Sequence, residues 1–344
     1  MTPTISTLTN ELTTTLLLSG AAFVLAMLLT PVYTTLAYRF KFWKKQRQTS
    51  TTGEKLQVFL KLHKEKFKRP IPTMAGIIAV VSISIVTLCF NWDRAQTYLP
   101  LAALLGGGAV GLLDDVINIR GSGKGVAGLR SSVKFMMITA LGLALGWYFC
   151  VKLGYDAVHL PYVGEFALGW FMIPLFAFAV VATGNAVNIT DGLDGLAGGL
   201  STIAYGAFGV IALLQGQFIL AGFCFTVLGA LLAYLWFNIY PARFFMGDVG
   251  SFALGTSLGV VAMLTNSFFL LPIIGIVFVI EAGSSLVQIF SKRVFHRKIF
   301  QSAPVHHHLE AIGWPETKVT MRFWVVGAVF AFVGILIAIT GGHV

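Results

Sequence analysis

Charge is scarce in this chain. Asp, Glu, Lys and Arg make up 11% of its 344 residues, against roughly 25% in an ordinary soluble domain. With 56% of residues apolar, this shortage excludes both a soluble globular protein and a disordered one, and it makes the bilayer the expected solvent. Cysteine is scarce too. Cys89, Cys150 and Cys224 all fall inside apolar runs, which excludes a disulfide scaffold and gives no redox compartment. No Lys or Arg precedes Arg39, so the first apolar run lacks the basic region of a cleavable signal peptide and reads as a retained span. The net charge of +10 raises nucleic acid as a partner, but the placement of the charges argues against one.

At about 20 residues per crossing, spans are predicted near 15–38, 73–92, 97–114, 133–151, 168–187, 196–215, 218–238, 248–266, 269–290 and 322–340. Ten spans make the loops alternate sides. All of the 24 Lys and Arg residues except Arg94 and Lys152 then fall on one side, which the positive-inside rule places in the cytoplasm. Joining or splitting any span destroys this asymmetry, so the charges support the count independently of hydropathy. The expected fold is all-α: a single ten-span domain over residues 1–344, with both termini extracytoplasmic. Its cytoplasmic loops are expected at about 39–72, 115–132, 188–195, 239–247 and 291–321. The basic stretch 41–69 suits anionic lipid headgroups, and the turn residues of 152–166 suit a small hairpin.

Acidic residues gather at one membrane face. Asp114, Asp115, Asp191, Asp194 and Asp248 all sit where an apolar span is predicted to meet the cytoplasm. Helix capping, worth about 1 kcal/mol, accounts for any one of them, whereas five drawn from three loops need a further cause. Two carboxylates about 4 Å apart repel by roughly 4 kcal/mol at an effective dielectric near 20. Such a cluster requires a cation. Oxygen donors favour Mg²⁺, which binds through one or two carboxylates plus substrate phosphates, so phosphoryl chemistry at the membrane surface is expected, with an active site at the cytoplasmic face.

Local sequence adds detail. Asn185, Asn188, Asp191 and Asp194 are spaced by three residues in GNAVNITDGLDG, which puts neighbours on one side of a helix before two Asp-Gly steps break it. In FFMGDVGS, Phe245 supplies an aromatic face and Asp248 a carboxylate, with a helix N-terminus expected at Ser251 to favour an anion. His306, His307 and His308 lie in the last cytoplasmic loop, suited to donating hydrogen bonds to phosphate or sugar oxygens. Zinc held by His306, His308 and Glu310 is the lesser alternative. Glu281, inside a span, is expected to be functional or paired within the bundle.

IPTMAGI, GLLDD, GNAVNITDGLDGLAGG, FNIYPARFFMGDVGS, PIIGIVFVIE and APVHHHLEAIGW follow one another in this order from about Pro72 to Ile339. In these motifs the chain resembles the phospho-N-acetylmuramoyl-pentapeptide-transferase family, within the polyprenyl-phosphate N-acetylhexosamine-1-phosphate transferase superfamily. The resemblance implies transfer of phospho-N-acetylmuramoyl-pentapeptide from its UDP carrier to undecaprenyl phosphate, giving lipid I and UMP with Mg²⁺ at a bacterial cytoplasmic membrane. A homodimer is also implied. Asp114 and Asp115 match paired family aspartates, one a base or nucleophile. Asp248 matches the Mg²⁺-associated aspartate and Phe245 the aromatic that stacks on uracil. Asn188, Asp191 and Asp194 match nucleoside-site and metal-site positions, with Asn185 in the same motif. Lys68, Lys124 and Lys134 resemble lysines near the phosphates, and His306, His307 and His308 match a triple histidine. Asn118 departs from the pattern, standing where the family usually has Lys, and Ala75 stands in a TPTMGG-like stretch.

Two other activities use some of the same features. A transferase acting on UDP-N-acetylglucosamine shares the aspartates but is expected to differ in the histidine loop. A secondary transporter places ionisable groups near the midplane within inverted repeats, whereas these collect at one face.

Overall fold

A helix that is apolar on every side has no face for water, so it persists only where helices or lipid surround it. The computed structural model describes residues 5–43, 70–121 and 128–342, and its apolar runs form helices of alternating direction. The first four are α1 (Ile5–Arg39), α2 (Gly76–Phe90), α3 (Tyr98–Arg120) and α4 (Ser131–Trp147). A hairpin of β1 (Ala157–Leu160) and β2 (Gly164–Ala167), paired antiparallel with Ala157 opposite Ala167, follows as expected. Then come α5 (Met172–Thr190), α6 (Leu196–Leu214), α7 (Phe218–Asn238), α8 (Gly247–Leu264) and a single turn, α9 (Leu271–Ile274). The chain closes with α10 (Ile276–Val294), α11 (Val305–Ala311) and α12 (Glu316–Thr340).

α8 is the axis of the molecule. Every residue from Gly247 to Leu264 is buried except Asp248, with α3 and α5 packed along its two sides. Small residues make that closeness possible. A Cβ on Gly111 of α3 would come within 2.0 Å of the Asp248 carbonyl oxygen, and one on Gly255 within 2.6 Å of the Thr183 carbonyl oxygen of α5. Where lipid supplies no hydrophobic drive between helices, such backbone contact is how helices adhere.

The surface is the reverse of a soluble protein's. Large apolar side chains such as Leu17 (68%), Leu28 (65%) and Phe332 (74%) are exposed, while buried hydroxyls turn back onto their own helices. Ser82 donates to the Ile78 carbonyl at 2.8 Å and Thr226 to the Gly222 carbonyl at 2.7 Å, because the bilayer core offers no water to satisfy them. Eight helices among the described residues (α1, α3 to α8 and α12) are long and apolar enough to cross a membrane, and α2 is a shorter apolar helix. α10 is apolar outside and polar inside. Leu286 and Phe290 are exposed, whereas Glu281, Ser284, Gln288 and Ser291 are buried along one stripe.

The boundaries correct several expectations. The span predicted over 269–290 is interrupted at Gly275, between α9 and α10. α3 runs on to Arg120, so Asp115 belongs to a helix rather than to the start of a loop. The region 291–321 contains the last turn of α10, all of α11 and the first turns of α12. α8 begins at Gly247, not Ser251, which puts Asp248 in its first turn, where the N-terminal dipole favours a carboxylate.

Helix direction sorts the ends. The Tyr33 hydroxyl, late in α1, donates to the Thr73 carbonyl just before α2. At the opposite end Asn91, after α2, donates to the Ile219 carbonyl at 2.9 Å at the start of α7. The hairpin lies at that second end, where Tyr162 N–H donates to the Gly341 carbonyl at 3.1 Å.

The α3–α8 contact is tested by adding one methyl group. Gly111→Ala is expected to lower stability in detergent by about 1–3 kcal/mol, since only backbone could give way. Gly20→Ala, with nothing within 4 Å of its added Cβ, is expected to leave the melting temperature unchanged or raise it slightly. Equal effects of the two would remove the close contact as a constraint.

Candidate active site

The end of α3 meets the start of α8, and there the paired aspartates diverge. Asp115 is fully buried, and its Oδ2 accepts the Val249 N–H at 3.0 Å. Asp114 Oδ1 accepts the Leu129 N–H at 2.6 Å, and its Oδ2 the Asn118 amide at 3.3 Å. Lys134, in the first turn of α4, places Nζ 3.4 Å from Asp114 Oδ2 and 3.1 Å from Asp248 Oδ2. It also lies over the Phe252 ring at 5.7 Å. Three helices thus bring two carboxylates to one ammonium. Asn118, where a lysine was the family expectation, adds a neutral donor to Asp114 instead of a second cation.

The end of α5 and the loop after it supply the next wall. Asn188 Nδ2 donates to Ser251 Oγ of α8 at 2.9 Å, tying α5 one turn away from Asp248. Asn185 turns to its own helix, donating to the Val181 carbonyl at 2.8 Å. Asp191 follows Thr190 at the helix end and is partly buried. Asp194 faces inward: its Oδ2 accepts the Ala242 N–H at 3.0 Å, and its own N–H donates to Glu316 Oε1 at 2.7 Å.

Asn238 joins this loop to the aromatic turn. Its Oδ1 accepts the Gly195 N–H at 3.0 Å while its Nδ2 donates to the Phe244 carbonyl at 2.9 Å. Phe244 is buried against Tyr33, Tyr234 and Phe237, leaving Phe245 partly exposed beside it. Phe245 N–H donates to the Pro72 carbonyl at 2.8 Å, and its carbonyl accepts the Ala75 N–H at 3.0 Å. Sequence reasoning passed over Asn238 and Glu316. Their signals were a polar residue ending the apolar run of α7 and an acid directly after Pro315.

The histidines take different polar partners, while the rings of His306 and His307 touch with centroids 4.1 Å apart. His306 Nδ1 lies 2.6 Å from Glu281 Oε2, both residues fully buried. His307 Nδ1 lies 2.8 Å from Glu310 Oε2, and the ring of His308 packs edge-on against Phe300. His306, His308 and Glu310 therefore do not converge as a zinc set, and no group of three His, Cys, Asp or Glu placed for a metal occurs among the described residues. Lys68 and Lys124 lie outside the described residues. A cavity of about 400 Å³ bordered by His159, Gln215, Gln217 and Asn266 lies at the opposite end and holds none of the expected site residues.

Comparison with known proteins identifies the family. Residues 97–266 match the model of glycosyl transferase family 4, a stretch that includes both ends of the Asp114–Asp248 pair. A phospho-N-acetylmuramoyl-pentapeptide-transferase of Chloroflexus aurantiacus is 40% identical over 349 residues, covering 97% of this chain and 92% of the relative. The enzyme of that name from Geobacillus thermodenitrificans is 39% identical, covering 93% of this chain and 96% of the relative. The one from Listeria monocytogenes is 36% identical, with coverages of 93% and 97%. The apolar helices and these relatives make the chain a multi-pass membrane protein. It belongs to the phospho-N-acetylmuramoyl-pentapeptide-transferase family.

Proposed function

We propose that the chain transfers phospho-N-acetylmuramoyl-pentapeptide from UDP to undecaprenyl phosphate, releasing UMP and forming lipid I for peptidoglycan synthesis. The observation that carries this reading is the pair Asp114 and Asp248 sharing Lys134 at one end of an apolar bundle. A lipid-borne phosphate and a water-borne nucleotide can meet only at such an end. Ten crossings, with the carboxylate end in the cytoplasm of a bacterial inner membrane and both termini outside, complete the proposal. The alternating helices and the basic loops on the carboxylate side support it.

The reaction forms a bond between a lipid phosphate oxygen and the sugar-bearing phosphorus, and breaks that phosphorus's bond to UMP. Asp114, anchored by Leu129 and Asn118, is held where it can keep the attacking oxygen deprotonated. That oxygen is already largely anionic at neutral pH, so base catalysis contributes little. Lys134 contributes fixed positive charge beside the diphosphate, in a setting pre-arranged before substrate arrives. Asp115, committed to the Val249 N–H, braces α8. Phe245 offers its partly exposed ring to the uracil.

Mg²⁺ fits this donor set. Two carboxylates balanced by one ammonium leave net negative charge on oxygen ligands, and Mg²⁺ needs only one or two protein carboxylates when phosphates complete its shell. Asp248 is the residue that would hold it, with Asp191 the second carboxylate expected at the metal. Asp191 stands at the end of α5 and is partly buried. When bound, the ion withdraws charge from the diphosphate.

Incubation of purified protein with UDP-N-acetylmuramoyl-pentapeptide and polyprenyl phosphate, followed by UMP release, tests the reading directly. Activity is expected to vanish with EDTA and return with Mg²⁺. Asp248→Asn is expected to lose at least about 100-fold in turnover, roughly 2.7 kcal/mol of transition-state stabilisation. A folded variant with near-normal Mg²⁺-dependent turnover would remove Asp248 from the site. Phe245→Ala is expected to weaken UDP-substrate binding by about 1–3 kcal/mol, on the scale of base stacking on aromatic rings. The KM for polyprenyl phosphate should stay unchanged. With both sugar donors in one reaction, the muramoyl-pentapeptide donor is expected to be preferred at least about 100-fold in kcat/KM. Comparable consumption of UDP-N-acetylglucosamine would overturn the muramoyl assignment and keep the broader transferase.

A further inference from the structure

Glu281 takes no part in the chemistry above, yet it is a carboxylate with no exposed surface, on a helix whose outer face is apolar. A buried acid is costly unless it is closely partnered, and its neighbours indicate what it does. The polar stripe of α10 grips the segment leading into α11. Gln288 Oε1 accepts the Ile299 N–H at 3.0 Å, Ser291 Oγ donates to the Arg297 carbonyl at 2.9 Å, and Ser284 Oγ accepts the Val305 N–H at 3.0 Å. Glu281 completes the stripe by holding His306 Nδ1 at 2.6 Å. This contact fixes the plane of the imidazole.

The far side of that ring meets the loop carrying Asp191. A Cβ built on Gly192 would lie 2.3 Å from His306 Nε2 and 2.8 Å from its Cε1, and the Gly192 backbone is itself open to other residues, since its φ is not in the left-handed range. The imidazole is therefore the wall against which Gly192 rests. On the other side the same loop is tied by Asp194 to Glu316 and, through Gly195 and Asn238, to the Phe244 carbonyl beside the Phe245 ring assigned to uracil.

We propose that Glu281 is a positioning residue which, through His306, sets the placement of the Asp191–Gly195 loop and thereby the affinity for the uridine-nucleotide donor. This inference rests on the transferase reading and extends it from the residues facing substrate to a carboxylate inside the membrane-spanning region. His306 acts here as a prop rather than as a donor to substrate.

Binding of UDP to purified Glu281→Leu, Glu281→Gln, Gly192→Ala and the Glu281→Leu/Gly192→Ala double variant tests it. Glu281→Leu and Gly192→Ala are each expected to weaken UDP binding at least 10-fold, with the KM for polyprenyl phosphate unchanged. Glu281→Gln, whose amide can still pair with His306 Nδ1, should stay within about 3-fold of the wild type. The double variant should be no more than about 3-fold weaker than Glu281→Leu, because a released ring can swing away from the added methyl. Multiplicative losses in the double variant would overturn the proposal. So would a Glu281→Leu protein that melts earlier but binds UDP normally. If Glu281→Leu cannot be purified, Gly192→Ala carries the test alone, and wild-type UDP affinity there overturns the proposal. A wild-type protein that binds no UDP would instead overturn the transferase reading on which it rests.

Discussion

A carboxylate taken from water must find donors or a cation nearby, and the arrangement of this molecule's functional end follows from that requirement. Asp115 meets it with a backbone N–H at the head of α8, Asp194 with one from the turn before α8, and Glu281 with an imidazole. Asp114 and Asp248 meet it together, through Lys134. Each solution joins elements far apart in sequence. The acids of the candidate site, together with Glu281, are thus also the points at which α3, α4, α8, α10 and α11 are fastened to one another.

Adjacent aspartates on a helix point about 100° apart, and here that divides the labour. Asp115 turns inward to α8, whereas Asp114 turns toward α4 and the site. Membership of a paired motif therefore does not make the two equivalent. The same separation recurs between Phe244, locked among aromatic rings, and Phe245, left partly open beside it. In both pairs one residue is given to the scaffold and its neighbour to the site proposed for substrate.

The sequence was most legible where one length scale dominates. Apolar runs of about 20 residues located most of the helices, and the clustered acids pointed to Asp114 and Asp248, which do meet at Lys134, because bilayer thickness and desolvation act on composition directly. What it left open were directions. Nothing in DGLDG distinguishes Asp191, at the helix end, from Asp194, committed to the Ala242 N–H, since that depends on a turn nearly fifty residues later. Three consecutive histidines look alike until α10 selects one of them through Glu281. The span of α8 was placed from 248, but its N-terminus was expected only at Ser251, because Gly247, with φ +75°, resembles a turn and serves as the first residue of a helix. Asn118 read as a departure that removes charge, and only its contact with Asp114 shows what it supplies in place of that charge.

One helix is held at both its ends. Near its start α12 contacts the Asp194–Gly195 backbone through Glu316, Thr320 and Trp324. At its finish the hairpin holds Gly341 and Thr340 through His159 and Tyr162. Most membrane helices absorb a mismatch with bilayer thickness by tilting. α12 cannot tilt freely without breaking hydrogen bonds at one membrane face or the other. It is a strut of set length, so in a thinner or thicker bilayer the surrounding lipid must deform to match the protein.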